Sequence, residues 1–306
     1  MALKHWVYYF VALPLLAVTP LRLRKLLVLK VILPLNLKYD TGARREHLAA
    51  NLQKVYPQHK SLGWLVEKNI IFDIFLDAAT WKFIFPFPSR RKSLLRIEGR
   101  ENLDRALKQG KGALLLIGHT GSFVFSFYGL GVHRIPYGIL ANDAPADTAF
   151  SMAYRLFARI NLSLIKRQCR GPLISFPVGG NKNSASAAAR KVARVLKSNK
   201  PLIAALDVPP AFSSSVSGVR FLGHDCVMPT GFLRAARRVG SPVVIFHALW
   251  DQPFSHRCTL RFEEPFLLEG NIEDDLQKCA AEIEKIIRSD PPQWFHWQAF
   301  DQFMQR

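Results

Sequence analysis

The sequence predicts an α/β fold: a central mixed, mostly parallel sheet flanked by helices, with an N-terminal membrane-anchoring helix in front of it. Three observations predict it. Beyond Arg96, short continuous aliphatic runs alternate with helical patterns, and runs that are apolar throughout mark strands covered on both faces. Residues 40–85 instead repeat their apolar positions at helical spacing. Ahead of both, Trp6–Val18 (WVYYFVALPLLAV) carries no charge. With 306 residues, 49% of them hydrophobic, the chain can bury a sizeable core.

The N-terminal run is short for a bilayer crossing, which takes about 20 apolar residues. It therefore either stretches across with its ends at Lys4 and Thr19 or lies half-inserted. Behind it Arg22, Arg24, Lys25, Lys30 and Lys38 stand among leucines and valines. Such a segment suits an anionic headgroup layer, with alkyl stems in lipid and cationic heads at the phosphates. Basic residues just after the apolar run also place the body of the protein on the cytoplasmic side. No A-x-A-type site precedes Pro20, so a cleaved signal peptide is not expected. A buried helix followed by a solvated basic one would have the same pattern. Residues 1–38 are read as membrane anchor and basic amphipathic segment, and 39–306 as the catalytic domain.

In chain order, ARREHLAANLQKVYP forms a first helix ending before Pro57, and Leu62–Phe85 a second. The strands are ALLLIG (113–118), YGILA (137–141), PLIAAL (201–206), GVRFLG (218–223), PVVIFHAL (242–249) and CTLRFE (258–263), the later ones pairing antiparallel at one edge. SAAARKVARVLKSN and TGFLRAARRVG are helices between them, and the last helix covers 273–288. The four cysteines have no CxxC pair and are expected to be reduced thiols.

In open α/β sheets ligands gather beyond the carboxyl ends of the strands. His119 follows ALLLIG and Asp207 follows PLIAAL, so two groups capable of proton chemistry emerge there. A His with an ordinary pKa near 6.5 can take a proton from an attacking alcohol near neutral pH. The turn Thr120-Gly121-Ser122 offers backbone N–H groups, and the Ser122 hydroxyl, to a developing oxyanion. The alternative roles are structural: His119 capping its strand and Asp207 capping a helix or loop.

Several segments together resemble the bacterial lipid A late acyltransferases, the lauroyl and myristoyl transferases of the lysophospholipid acyltransferase superfamily. They are the apolar N-terminus, REHLAANLQKVYP, LLLIGHTGSF, LIAALDV, VRFLGHDCVMPTGFLRAARRVGSPVV and the tail IIRSDPPQWFHWQAF, with Pro292, Gln293, Trp294 and Trp297. The resemblance implies transfer of an acyl chain from a thioester donor, usually acyl carrier protein, to a hydroxyl of a lipid precursor at the inner leaflet of the bacterial inner membrane. His119 would be the base, Asp207 would orient the site, and Arg155, Arg167 or Arg170 would meet acidic groups of the substrate, a role suited to a bidentate guanidinium. The family motif has Asp or Glu five residues after the His, where this chain has Val124. Three explanations stay open. A distant carboxylate, Asp207, Asp143 or Asp225, replaces it; the transferred group is more activated, as in aminoacyl transfer; or the protein is degenerate and only binds lipid or a carrier protein.

The net charge of +19 calls for a polyanionic partner: nucleic acid, an anionic membrane or a phosphorylated substrate. No nucleic-acid reader motif is present, so the expected partners are membrane lipid as acceptor and an acyl or aminoacyl carrier protein as donor. SRRKSLLR (89–96) is read as a lipid or carrier contact or as a solvated face, and Phe83, Phe85 and Phe87 as an acyl groove or core. GxSxG, GxGxxG, P-loop and metal-ligand spacings are missing, and no cofactor or metal is expected.

Overall fold

A computed structural model describes residues 2–38, 40–59, 61–85, 92–142, 151–176, 182–251, 255 and 257–305. The aliphatic runs become strands. β1 (Leu95–Glu98), β2 (Ala113–Ile117), β3 (Tyr137–Asn142), β4 (Arg170–Phe176), β5 (Pro201–Ala205), β8 (Val243–Trp250) and β9 (Cys258–Phe262) form one seven-stranded sheet. Its order is β1-β9-β8-β2-β5-β3-β4, parallel throughout except for the antiparallel β8–β9 pair. All five residues of β2 are buried, as its unbroken apolar run requires.

Two differences from the sequence reading follow from pairing. The GVRFLG run lies outside the sheet: β6 (Val216–Phe221) and β7 (His224–Pro229) make a separate antiparallel hairpin, closed by Leu222 and Gly223 at positive φ. β1 and β4, short or basic in sequence, become strands because they border β9 and β3 at the sheet's edges.

The helices are α4 (Thr41–Val55), α5 (Gly63–Ile84), α6 (Arg100–Leu107), α7 (Phe123–Val132), α8 (Met152–Cys169), α9 (Lys182–Lys197), α10 (Gly231–Val239) and α11 (Ile272–Ser289). Local chemistry sets their ends. Asp40 accepts from the amides of Gly42 and Ala43 to start α4, and Asn271 caps α11, whose first turn carries Glu273, Asp274 and Asp275. Gly240, at φ +71°, closes α10 in the left-handed conformation.

The N-terminal segment is helical, as α1 (Ala2–Val7), a π turn (Tyr8–Ala12), α2 (Leu13–Val18) and α3 (Leu21–Leu27), broken at Thr19–Pro20. Among the described residues no helix is long and apolar enough to cross a membrane. One face instead joins the core, with Tyr8, Leu13, Leu16 and Val28 fully buried. The other face is apolar and exposed: Leu3 (77%), Val11 (58%), Leu15 (50%) and Val18 (58%) recur at helical spacing.

A partly buried ion network, centred on the buried Asp73, fastens this segment to α5. The Lys38 ammonium lies 2.9 Å from Asp73 and 2.7 Å from Asp77, the Tyr8 hydroxyl donates to Asp77 at 2.9 Å, and Arg44 pairs with Asp73 at 3.1 Å. Burial would lower the Lys38 pKa, but the two carboxylates outweigh it and raise it; at Asp77 burial prevails over Lys38 and the pKa is raised.

Candidate active site

Strand register brings the two proton-active residues together. β2 and β5 run parallel with Ile117 opposite Ala205, so two residues further on His119 stands opposite Asp207. The Leu206 amide donates to the Ile117 carbonyl at 2.9 Å, extending the pairing to the site. Asp207 is fully buried, whereas the His119 side chain keeps 21% of its surface, enough for a substrate to reach one ring nitrogen.

Three N–H donors converge on the Asp207 carboxylate. Oδ1 lies 2.8 Å from His119 Nδ1, and Oδ2 accepts from the His119 amide and from the Trp294 indole, both at 2.7 Å. Burial pushes the Asp207 pKa up, but the charge and hydrogen bond of His119, then His296 and the Trp294 N–H, more than offset it and hold the carboxyl below the ordinary range. An ionised Asp207 fixes the His119 proton on Nδ1 and leaves Nε2 as the free acceptor. Val124 lies buried in α7. Asp225 pairs with Arg220 on the β6–β7 hairpin, while Asp143, like Phe87, lies outside the described residues.

The turn after His119 differs from expectation. Gly121 sits at φ +55° against the Ala248 carbonyl, and an added Cβ would approach that oxygen to 2.1 Å. This close approach stitches the turn to its neighbours: the Gly121 amide donates to the Gln293 carbonyl at 2.7 Å and the Ser122 amide to Ala248 at 2.8 Å. Those amides are thus not available to an oxyanion. The Ser122 hydroxyl is fully buried, has no hydrogen-bond partner among the described residues, and is not among the residues lining the cavity beside His119.

That cavity, about 360 Å³, is in the range of small-molecule sites. Its walls include Phe123, Phe127, Ile139, Ile203, Phe212 and Phe232, with His119 and His296 among the lining residues. One family matches nearly the whole chain: the model for bacterial lipid A biosynthesis acyltransferases matches residues 1–299. The chain belongs to that family. No curated protein matches it.

In this lipid A acyltransferase family member the three arginines separate. Arg155 lies in the first turn of α8, partly buried, with no hydrogen-bond partner for its Nε among the described residues. Arg167 lies in the last turn of α8 and Arg170 begins β4 opposite Tyr137, at the amino end of the sheet. His119 is six residues beyond the level of Tyr137, about 20 Å at strand rise. Arg167 and Arg170 therefore sit at the wrong end to meet a group bound at His119. Phe83 stacks on Tyr128 in the core and does not line the cavity.

The tail contributes what the motif reading passed over. The Asn69 side chain in α5 donates to the Pro292 and Trp294 carbonyls at 2.9 and 2.8 Å, and Gln293 accepts from the Trp250 amide at 2.9 Å. These bonds hold Trp294 on Asp207 and place the His296 ring 4.5 Å from that of His119, with planes at 72°. The His119, Asp207 and His296 ligand atoms lie within 4.8 Å of one another. Asp207 already receives three N–H groups, which makes it a poor metal ligand. The aromatic spacing of the tail was readable; the lone His in it carried no sequence signal of its own.

Proposed function

We propose that this protein transfers a fatty acyl chain from a carrier-protein thioester to a hydroxyl of a lipid A precursor, with His119 as general base. The observation that carries this reading is the His119–Asp207 pair opening on an apolar cavity. A cavity walled mainly by apolar side chains gains free energy from each methylene it removes from water, about 0.8 kcal/mol per CH₂. Although Ser213, Ser214 and Ser215 and the two histidines also line it, none of the lining residues is a carboxylate that would pair with a charged amino group. The reading therefore favours a fatty acyl group over an aminoacyl group.

In this reaction the acceptor hydroxyl gives its proton to His119 Nε2 as its oxygen attacks the thioester carbonyl. Asp207 holds the ring and stabilises the imidazolium. Collapse of the tetrahedral intermediate breaks the C–S bond, and the imidazolium returns its proton to the thiolate. No covalent enzyme intermediate is needed. Arg155, on the helix that follows the carboxyl end of β3, is the remaining arginine for an acidic acceptor group. The exposed Leu3–Val18 face and the basic residues beside it support attachment in the plane of the membrane surface, on the cytoplasmic side of the inner membrane.

The test uses purified protein, acyl-carrier-protein thioesters of saturated fatty acids and of glycine, and lipid A precursor in mixed micelles, read by mass spectrometry. Fatty acyl transfer that His119→Ala abolishes is the expected result. Glycyl transfer alone would overturn the choice of acyl group. No transfer with either donor, together with retained lipid binding, would indicate a degenerate binder.

A further inference from the structure

Acyl transfer by this route forms an oxyanion, and preorganised N–H donors at that point are commonly the largest single contribution to catalysis. Most of the amides expected to supply them are committed: those of Gly121 and Ser122 in the turn donate to Gln293 and Ala248, and that of His119 to Asp207. His296, on the tail, packs its ring against His119 at 4.5 Å and lines the same cavity. Its Nε2 is buried with no hydrogen-bond partner among the described residues. A buried polar atom without a partner needs an explanation, and a ligand group that completes its bonding is one. Resting on the reading above, we propose that His296 is a second catalytic residue, its ring N–H donating to the carbonyl oxygen of the acyl thioester as that oxygen becomes the oxyanion.

The ionisation state fits the role. Burial lowers the His296 pKa to about 3, with the nearby His119 adding to the effect, so the ring is neutral at neutral pH and carries one N–H. A second cation 4.5 Å from His119 would oppose protonation of the base as the hydroxyl attacks; a neutral donor does not. A neutral imidazole can act as the electrophile that polarises a carbonyl. The electron accounting is that of acyl transfer: as the new C–O bond forms, the carbonyl π pair moves to oxygen and is held by the His296 N–H. On collapse the pair returns, the C–S bond breaks, and His296 keeps its proton throughout.

The experiment compares His296→Ala, His296→Phe and His296→Gln in the full chain, using whichever saturated acyl-carrier-protein thioester the wild type accepts. The Ala and Phe forms should lose about 10²–10³ in kcat with KM within about threefold, and Gln, which restores an N–H donor, should recover at least about tenfold. Phe keeps the ring volume, so it carries the test if Ala melts early. Activity of the Phe form within about fivefold of wild type overturns the proposal, as does a folded Gln form no better than Phe. A wild type that transfers nothing, or a His119→Ala form as active as wild type, would instead sink the parent reading.

Discussion

Asp207→Asn tests the dyad most directly because the carboxylate's three donors are unequally served by an amide. Oδ2 takes two N–H groups, from His119 and Trp294 at 2.7 Å, and Oδ1 takes the third, His119 Nδ1, at 2.8 Å. An asparagine with its oxygen at the Oδ2 position keeps the first two bonds. Its NH₂ then faces Nδ1 and drives the imidazole proton to Nε2, the atom that must receive the proton of the acceptor hydroxyl. The same substitution in serine proteases costs about 10⁴ in kcat, which at 1.36 kcal/mol per tenfold is about 5.5 kcal/mol of barrier. The fold loses less: one hydrogen bond to a charged group, about 1.5–3 kcal/mol, or several degrees of melting temperature. Initial rates with labelled acyl donor and a thermal melt on the same preparation separate the two. A variant that keeps kcat within about tenfold of wild type would refute the assignment of Asp207 as the group that sets the His119 tautomer.

Trp294→Phe keeps the packing but removes the indole N–H from Asp207; about 2 kcal/mol of stability should go and kcat should fall about tenfold, measured by denaturant titration and initial rate. Lys38→Met leaves Asp73 and Asp77 facing each other in the interior and should cost about 3–5 kcal/mol by urea unfolding, with Lys38→Arg in between. Val11→Glu with Leu15→Glu, on the exposed face, should lower sedimentation with anionic vesicles by at least about tenfold while the melting temperature holds within about 2 °C. Folding stability should also fall with acid from about pH 6.5. The unfolded His296 binds a proton below that value and the folded one only near 3, so stability present above pH 6.5 is lost progressively on the way down, at about 1.36 kcal/mol per pH unit. His296→Gln should flatten that part of the stability curve. Asp207, held below its unfolded value, adds a loss only below about pH 4.

The central strands were legible because burial on both faces leaves an uninterrupted aliphatic run, as in Ala113–Ile117 and Pro201–Ala205. His119 and Asp207 could be matched because each immediately follows such a run, and parallel register then equalises their height. Edge strands were not legible: Arg170–Phe176 begins with a basic residue and is a strand only because β3 offers it a ladder. The fate of the Thr120–Ser122 turn was equally hidden, since the amides of Gly121 and Ser122 are consumed by Gln293 and Ala248, far away in sequence. The same holds for Ser122, whose hydroxyl a strand-to-helix turn could equally have exposed. Long-range packing also decided the N-terminus, where a run that reads as apolar all round has one side pressed on α5 and the other open.

Moving the acid from the fifth position after His119 to the end of a neighbouring strand changes what the site depends on. A carboxylate one helical turn away is held by local backbone; Asp207 is held by the β2–β5 register and by an indole from the last 15 residues of the chain. The tail is therefore part of the candidate site. Asn69 and Gln293 fix its backbone, the Trp294 N–H donates to the buried carboxylate of Asp207, and His296 stands beside His119. Val124, freed from orienting the imidazole, is buried with the apolar side of α7. An acid restored there would be an unpaired charge in the core, because the Nδ1 proton of His119 is already committed to Asp207. On the proposed function, the arrangement would supply the dyad's chemistry by a different route rather than a weakened form of the same one.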